Sequence, residues 1–275
     1  MRIGRIGYIN CAPVYGAIDR GIVTLPPGGE LVTGTPSELN DLLVAGELDL
    51  SVISAIEYAR HAKNLVLLPE LAISCDGPVR SVALFSKRPL TELDGRTVLL
   101  SASSRTSVAL LELLCRTYWK IKPKFAEARA EAQDLDTLDG LPHEGVLVIG
   151  DAALLLAARG TYRHRYDLGE EWKDKTGLPF VFALWAARRE ADTAAVQRGH
   201  SALLAARTWG LAHLDEIAAD VSSQTGIPTV TCREYLRGLD YGLSTSHRAA
   251  LAQFLVEVAH NGIVPGLDVE LRVVA

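Results

Sequence analysis

The stretch LDLSVISAIEYARHAKNLVLLPELAIS, residues 48–74, decides the fold class of this 275-residue chain. Its apolar pattern predicts a strand at residues 48–53, a helix at 54–62 and a second strand at 65–74. Strands that alternate with helices in this way are typical of a largely parallel sheet. The stretch therefore predicts an α/β fold.

The same alternation continues on both sides of this stretch. Upstream, Thr35-Pro36-Ser37-Glu38 has the form of a capped helix start, and Gly46 ends the helix. The other predicted elements are strands at residues 2–8, 30–34, 79–85, 96–100, 146–149 and 180–187, helices at 106–119 and 152–159, and long loops at 21–29 and 127–144. Residues 190–262 predict helices without a convincing strand.

The helical C-terminal third indicates how the chain divides into lobes. Helices that have no strands of their own bury their apolar faces on a sheet formed earlier in the chain. We therefore expect a discontinuous first lobe of residues 1–83 plus 187–275, with the helical segment packed on it, and an inserted second lobe of residues 84–186. The chain would cross between the lobes near Val82 and Leu184, and the cleft between them is a natural ligand site.

Composition and charge exclude several classes of protein. Hydrophobic residues make up 48% and charged residues 22% of the chain, which is typical of a globular protein and not of a disordered or fibrous one. The 28 Lys and Arg against 33 Asp and Glu give a net charge of −5, which argues against nucleic acid or an anionic membrane as partner. No apolar run reaches the roughly 18 residues of a membrane span. The expected partner is a small molecule.

The cysteines indicate a reducing compartment. Cys11, Cys75, Cys115 and Cys232 lie far apart, without metal-ligand spacing, and are expected to be buried free thiols. Polar residues soon after Arg5 interrupt any apolar core of a secretory signal, so we expect a cytoplasmic protein. Apolar residues in the helical segment either support a homodimer or cover the first sheet.

Several catalytic motifs are missing from the sequence. It contains no Gly-rich dinucleotide or Walker phosphate motif, no H-E-x-x-H and no G-x-S-x-G. The seven histidines are isolated from one another along the chain. We therefore expect neither a metal ion nor a cofactor.

The strongest local signal is SASSRTS, residues 101–107, which follows a predicted strand and opens a helix. A helix N-terminus with additional hydroxyl donors is suited to bind a carboxylate or a phosphate. Plain helix capping, which needs one hydroxyl, is the alternative. The pattern favours anion binding, and the candidate substrate-binding residues are Ser103, Ser104, Arg105, Thr106 and Ser107.

Other polar residues also follow predicted strands, where ligands bind in open α/β sheets. These candidates are Asn10, Ser54, the group Ser74, Asp76 and Arg80 at the predicted lobe crossing, and the pair Gly150 and Asp151. Each of them has an alternative role as a helix cap, a turn residue or half of an ion pair. Together, five polar strand ends without a nucleophile–base pair predict a cleft that holds a small anion or assists an elimination.

These segments also resemble a known family. Residues 36–40 through 57–59, 74–82, 103–111 and 166–185 are similar to the menaquinone-biosynthesis chorismate dehydratases of the futalosine pathway, and the resemblance extends to about Arg188. It implies a two-lobed fold of the type II periplasmic-binding-protein kind. It further implies cofactor-independent dehydration of chorismate to 3-[(1-carboxyvinyl)oxy]benzoate, a carbon–oxygen lyase reaction.

The resemblance also implies a role for Asn10, which matches the Tyr-Leu-Asn element of the family with Ile9 in place of Leu. This residue would be catalytic and would hydrogen-bond the reacting carboxylate or the leaving hydroxyl. The enolpyruvyl carboxylate of the substrate would take the proton. Cys75 stands where Ser is common in the family, which weakens the case for a ligand contact there.

Two alternatives remain open. The sister family, 1,4-dihydroxy-6-naphthoate synthase, shares the fold but carries Ile-His-Glu after a strand of the second lobe, with the His as base. Here the corresponding residues are Ile149-Gly150-Asp151, which favours the dehydratase. The other alternative is a non-catalytic cytoplasmic protein that binds small anions.

Overall fold

The computed structural model of the protein describes residues 1–138 and 140–273. Within these residues, the strands are β1 (Arg2–Ile6), β2 (Glu30–Gly34), β3 (Leu50–Ser54), β4 (Leu65–Cys75), β5 (Val82–Ser86), β6 (Thr97–Ser101), β7 (Lys124–Ala128), β8 (Gly145–Ile149), β9 (His164–Asp167) and β10 (Phe180–Arg188). They form one sheet in the order β2-β1-β3-β10-β4 and another in the order β7-β6-β8-β5-β9.

The helices of the same residues cover both sheets. They are α1 (Ala12–Asp19), α2 (Pro36–Val44), α3 (Ala55–His61), α4 (Arg105–Leu113), α5 (Leu135–Leu138), α6 (Gly150–Arg159), α7 (Leu168–Thr176), α8 (Thr193–Ala212), α9 (Leu214–Thr225), α10 (Thr229–Arg237) and α11 (Thr245–His260). A 3-10 turn, Ile9–Cys11, precedes α1, and a π-helix, Leu114–Trp119, extends α4. The predicted α/β class and the helical C-terminal segment are confirmed.

Both sheets are mixed, but each has a parallel part that presents its strand ends to the other sheet. In the first sheet, β1 pairs in parallel with β2 and β3, whereas β10 is antiparallel to β3 and β4. In the second sheet, β6 is parallel to β7 and β8, and β5 is antiparallel to β8 and β9. The helical segment packs on the first sheet, since α8 contacts α1 and α11 contacts β10.

The position of β10 corrects the predicted lobe boundary. Leu184 pairs with Ile53 and with Ala72, so residues 180–186 belong to the first sheet and not to the second lobe. The chain returns between α7 and β10, upstream of the crossing predicted near Leu184. At the other crossing, Val82 and Ala83 begin β5 of the second sheet instead of ending the first lobe.

The sequence did not predict helix α1, nor the elements β7, β9 and α7. Strand β7 and helix α7 expose much of their surface: β7 has no fully buried residue, and α7 buries only Leu168, Gly169 and Trp172. Such edge elements carry little apolar periodicity, which is the signal that predicts strands and helices. The region predicted as a loop at 127–144 contains the end of β7, the 3-10 turn Ala132–Asp134 and α5. These elements were missed for the same reason.

The buried carboxylate of Asp167 binds the first crossing to the helix that precedes the second crossing. It caps α7 by accepting hydrogen bonds from the N–H groups of Gly169 and Glu170, at 3.0 and 3.2 Å. It also accepts from the N–H groups of Val79 and Arg80, at 3.0 and 2.6 Å, in the segment that leads into β5. Arg80 has a φ of 65°, a conformation that costs energy for a residue with a side chain. The carboxylate therefore offsets the strain of the turn that it holds.

An aromatic cluster packs α7 of the second lobe against β10 and α11 of the first lobe. Trp172 of α7 lies with its ring centroid 5.5 Å from that of Phe180 in β10 and 5.8 Å from that of Phe254 in α11. Edge-to-face contacts of this kind add stability beyond the burial of their apolar surface. The second lobe is therefore anchored to the first where the chain returns.

We predict that Asp167→Asn lowers the free energy of unfolding by about 2 kcal/mol, because a single amide oxygen cannot accept from four N–H groups. Asp192→Asn is the matched control, since Asp192 caps α8 at the exposed surface through one bond to the N–H of Ala195. Asn and Asp are equivalent at such a cap. Denaturant unfolding of both variants measures the difference, and equal effects would contradict the role given to Asp167.

Candidate active site

A cavity lies between the two sheets, at the carboxyl ends of β1, β3, β6 and β8. It contains about 520 Å³ of space not occupied by protein atoms, part of it open to solvent. Its polar lining residues are Tyr8, Asn10, Ser54, Ser81, Ser104, Thr106 and Ser107. The rest of the lining is Gly150 and the apolar residues Ile6, Pro36, Ile73, Val82, Ile149, Phe182 and Ala183.

The start of α4 supplies the densest group of hydrogen-bonding atoms. Ser104 caps the helix: the N–H of Ser107 donates to its hydroxyl oxygen at 3.2 Å, and this hydroxyl donates to that of Ser107 at 2.7 Å. The N–H groups of Arg105 and Thr106, in the first turn, have no acceptor within the helix. Together with the positive end of the helix dipole, these groups are suited to hold a carboxylate.

Asn10 reaches the cavity from the opposite lobe. It sits on the 3-10 turn between β1 and α1. Within the described part of the chain, its buried carboxamide oxygen has no hydrogen-bond partner. A buried acceptor without a partner is costly, and an amide can accept from a ligand hydroxyl or donate to a carboxylate. Asn10 is therefore free to bind a ligand.

Ser54 and Gly150 complete the predicted residues at the cavity. The hydroxyl of Ser54 accepts from the N–H of Glu57 at 3.3 Å and so caps α3, which was the alternative role considered from the sequence. Gly150 has a φ of 63°, and a Cβ at this position would lie 3.0 Å from the ring of Tyr8. Only glycine fits here without strain.

Three predicted residues at the lobe crossing do not line the cavity. Side chains alternate along β4, so Ile73 faces the cavity and Ser74 faces away from it. The hydroxyl of Ser74 donates instead to the carbonyl oxygen of Asp240 at 3.1 Å. The other two form surface ion pairs, Asp76 with Lys173 at 2.5 Å and Arg80 with Glu234 at 3.3 Å. Asp76 and Arg80 therefore have the alternative role that the sequence allowed, as members of ion pairs.

The remaining predicted residues lie beside the cavity. Arg105 pairs with the buried carboxylate of Glu57 at 2.6 Å and with Asp41 at 3.0 Å, both in the first lobe. Ser103 donates its hydroxyl to Glu131. Asp151 accepts from the N–H of Ile9 at 3.1 Å. Arg105 and Asp151 thus join the two lobes around the cavity, whereas Ser103 bonds within the second lobe.

Sequence reasoning missed two polar residues of the lining, Tyr8 and Ser81. Ser81 precedes β5 by one residue, and its hydroxyl oxygen accepts from the buried hydroxyl of Tyr235 at 2.7 Å. The sequence predicted the preceding residue, Arg80, as a substrate-binding residue. Both residues lie in the segment 74–82 that carries the family resemblance. Which of two adjacent side chains faces a cleft depends on the register of the turn, and residue type alone does not indicate it.

The cavity is mostly apolar, and the polar groups of its described lining are uncharged. Within residues 1–138 and 140–273, its lining contains no Asp, Glu, Lys, Arg or His. Burial, and next the neighbouring carboxylate of Glu131, raise the pKa of Tyr8 well above its usual value, so Tyr8 keeps its proton. The site can therefore bind an anion through neutral hydroxyl, amide and N–H donors, with apolar walls that exclude water.

The described parts of the chain contain neither a metal-binding cluster nor a membrane-spanning helix. Residues 1–138 and 140–273 contain no cluster of three or more His, Cys, Asp or Glu placed to hold a metal ion. In the same ranges no helix combines the length and the apolar character that crossing a membrane requires. All four cysteines are buried and free, as predicted.

The fold and the cavity define a two-lobed α/β protein of the periplasmic-binding-protein kind. The structure is similar to that of an Archaeoglobus fulgidus protein, with a TM-score of 0.79 and 20% identity over 96% of this chain and 98% of that chain. It is also similar to the periplasmic aliphatic sulphonate-binding protein of Escherichia coli, with a TM-score of 0.66 and 16% identity over 100% of this chain and 92% of that one. At these identities the likeness shows the fold alone.

Sequence comparison identifies the family within this class. Residues 1–260 match a family described as menaquinone biosynthesis, and the chain belongs to that family. A chorismate dehydratase of Thermus thermophilus is 35% identical over 271 residues, which cover 92% of this chain and 93% of the relative. A chorismate dehydratase of Campylobacter jejuni is 32% identical over 188 residues, 66% of each chain. A 1,4-dihydroxy-6-naphthoate synthase of T. thermophilus is 25% identical over 222 residues, 77% of this chain and 76% of the relative.

The carboxyl group of Asp151 makes stability depend on pH. The pKa of this carboxyl group is raised to about 6, mainly by burial. The hydrogen bond from the N–H of Ile9 lowers the pKa, and the nearby carboxylate of Glu131 raises it by a smaller amount. The unfolded chain has the ordinary Asp pKa of about 4. The folded state therefore binds the proton more tightly, and this contribution to stability, present at low pH, is lost as pH rises through about 6.

We predict that Asp151→Asn, which is uncharged and still accepts from Ile9, is more stable than the wild type by about 2 kcal/mol at about pH 7.5. The two proteins should converge in stability as pH falls to about 4, near the pKa of the unfolded chain. Denaturant titrations of both proteins at several pH values measure the difference. A difference independent of pH would show that Asp151 does not titrate as described.

Proposed function

We propose that the protein is a chorismate dehydratase, which converts chorismate to 3-[(1-carboxyvinyl)oxy]benzoate and water in menaquinone biosynthesis. The 35% identity to the T. thermophilus dehydratase over 92% of the chain supports this substrate. The observation that carries the mechanism is the uncharged cavity, which combines a hydroxyl-rich helix start in one lobe with an unpartnered amide oxygen in the other.

The start of α4 binds one carboxylate of chorismate in this proposal. The hydroxyl of Ser107 and the N–H groups of Arg105 and Thr106 surround the space before the helix. A carboxylate there interacts with the positive end of the helix dipole, in a site that the apolar walls shield from water. Neutral donors of this kind hold the anion without a salt bridge.

Asn10 and Ser81 act on the leaving hydroxyl. The hydroxyl oxygen of Ser81 already accepts from Tyr235, so its own hydrogen is available to donate to the departing oxygen. The amide of Asn10 orients the same hydroxyl or the reacting carboxylate. Both side chains thus stabilise charge that develops as the carbon–oxygen bond breaks.

The lining residues that the structure describes offer no base for the ring proton. Tyr8, the one titratable side chain among the described lining residues, keeps its proton at neutral pH. We therefore assign proton abstraction to the enolpyruvyl carboxylate of the substrate itself. The reaction removes one proton from the ether-bearing ring carbon and hydroxide from its neighbour, which together form water. Aromatisation drives the reaction, and the protein supplies position and charge stabilisation.

The site disfavours the sister synthase, although one such enzyme is 25% identical to this chain. A histidine base in place of Gly150 would have a φ of 63° and its Cβ 3.0 Å from the Tyr8 ring. Turnover of cyclic dehypoxanthinyl futalosine and not of chorismate would establish the synthase instead. Tight binding of chorismate without turnover would establish a binding protein.

Two finer expectations stay predictions. The free thiols of the four cysteines support a location in the cytoplasm. A homodimer formed through exposed apolar residues of the helical segment, such as Leu211, Val230 and Val256, stays a prediction.

We predict that the purified protein converts chorismate to an aromatic product in the presence of a chelator, and that Asn10→Ala lowers kcat/KM at least tenfold, about the effect of one lost charge-stabilising contact. Ultraviolet absorbance follows the product directly. Asn64→Ala, in a surface pocket on the first lobe, is the control and should keep wild-type turnover. Full activity of Asn10→Ala would remove Asn10 from the mechanism.

We further predict that Ser81→Ala lowers kcat about tenfold or more, with a smaller effect on KM, because its hydrogen bond strengthens as the hydroxyl leaves. Ser86→Ala is the matched control, since Ser86 is a buried serine of β5 whose hydroxyl donates to the carbonyl oxygen of Arg88 at 2.7 Å, away from the cavity. Steady-state kinetics of both variants separate the two effects. Equal losses of kcat would show that Ser81 acts only through stability.

A further inference from the structure

The segment Tyr8–Ile9–Asn10 is held by the opposite lobe through contacts that the proposed reaction does not use. Tyr8 and Asn10 line the cavity from the first lobe, whereas the groups that bind this segment, Glu131 and Asp151, belong to the second. Neither carboxylate lines the cavity.

The first contact fixes the ring of Tyr8. Its hydroxyl donates to the carboxylate of Glu131, 2.9 Å from each oxygen. Ser103 donates its hydroxyl to the same carboxylate, and the N–H of Glu131 donates to Asp134 at 3.2 Å. Glu131 is therefore itself oriented by groups of its own lobe before it meets Tyr8.

The second contact fixes the backbone next to Asn10. The N–H of Ile9 opens the 3-10 turn Ile9–Cys11, where Tyr8 makes no side-chain capping bond. Asp151 accepts from this N–H at 3.1 Å, although it stands in the first turn of its own helix, α6. A carboxylate of the second lobe thus caps a turn of the first lobe.

A third contact is steric. The ring of Tyr8 lies where a Cβ of residue 150 would be 3.0 Å away, and glycine at this position allows the ring to approach the backbone. The second lobe therefore contacts the ring and the hydroxyl of Tyr8 and the backbone N–H of Ile9. A turn bound this way holds the backbone of Asn10 in one position beside the cavity.

We propose that Glu131 and Asp151 are positioning residues, which clamp the segment Tyr8–Asn10 when the lobes are closed and so aim Asn10 into the cavity. The proposal rests on the proposed function of Asn10 for its kinetic consequences, but not for its structural ones. Because the bonds run between lobes, they exist only in the closed arrangement, and separation of the lobes would release Asn10. The clamp couples closure to assembly of the site.

The chain contains a matched control for this clamp. Tyr118, in the π-helix of the second lobe, donates its hydroxyl to Glu257 of α11 in the first lobe at 3.0 Å. This bond has the same chemistry as the bond between Tyr8 and Glu131 and also joins the lobes, but it lies outside the cavity lining. An effect of Tyr8→Phe that Tyr118→Phe lacks therefore belongs to the clamp and not to lobe contact in general.

The kinetic test is a double-mutant cycle on chorismate turnover. Tyr8→Phe, which keeps the ring, should lower kcat/KM about tenfold, the usual effect of losing a hydrogen bond to a charged group. Because Tyr8 acts through Asn10, Tyr8→Phe should cause little further loss in the Asn10→Ala background. Glu131→Gln, which keeps an acceptor oxygen, should retain more activity than Glu131→Ala. Additive losses, or equal activity of the two Glu131 variants, would overturn the proposal.

The structural test needs no activity. Hydrogen exchange of a peptide that covers residues 7–12 should become at least about tenfold faster in Asp151→Ala, since the N–H of Ile9 loses its acceptor. Asp151→Asn should keep most of the protection, and Tyr118→Phe should leave it unchanged. Unaltered exchange in Asp151→Ala would overturn the clamp. A wild-type protein that does not turn over chorismate would refute the proposed function and leave this exchange test in force.

Discussion

Pairing of β10 between β3 and β4 is the constraint on which the rest of the structure depends. This strand begins where the chain returns from the second lobe, and it lies antiparallel to both neighbours, between the central strand β3 and the edge strand β4 of the first sheet. Both passages between lobes must therefore lie close together, where the carboxylate of Asp167 binds the outgoing segment and caps the helix that precedes the return. With the passages held, the parallel parts of the two sheets present their carboxyl ends to one cavity.

The cavity that results has no cationic side chain among its described lining residues. Its lining in the described residues is made of hydroxyl, amide, backbone and apolar groups. In such an environment each oriented dipole interacts strongly with charge, because little water competes with it. The charged side chains around it are arranged one layer further out, with Arg105 bound to Glu57, and with Glu131 and Asp151 bound to the segment around Asn10. The same fold in a sulphonate-binding protein shows that this architecture is compatible with binding alone, so the chemistry depends on particular side chains.

The buried carboxyl of Asp151 illustrates the cost of this arrangement. Its pKa is raised mainly by burial, so its charged form is held at neutral pH against desolvation. The buried charge of Asp151 lowers the free energy of unfolding at neutral pH. The same carboxylate accepts a hydrogen bond from Ile9 and so holds the segment next to Asn10. Strained or costly groups near a functional cavity are common for this reason.

Local sequence determined much of this protein. The capping box at Thr35 and Glu38, the strand–helix–strand pattern of residues 48–74 and the serine-rich start of α4 all depend on neighbours within a few residues, and all appear as predicted. The positions of Asn10, Ser54 and Thr106 at one cavity were also predictable, because carboxyl ends of parallel strands meet at one edge.

Only the tertiary structure decided the remaining features. Edge elements such as β7 and α7 lack apolar periodicity, so their existence depends on neighbours that are distant in sequence. The register of the turn before β5 places Ser81 in the cavity and Arg80 at the surface, and the burial of β10 in the first sheet moves the lobe boundary. The bonds of Tyr8 and Ile9 to Glu131 and Asp151 join residues more than 120 positions apart. Such contacts depend on how the two lobes close, which no local pattern of residues encodes.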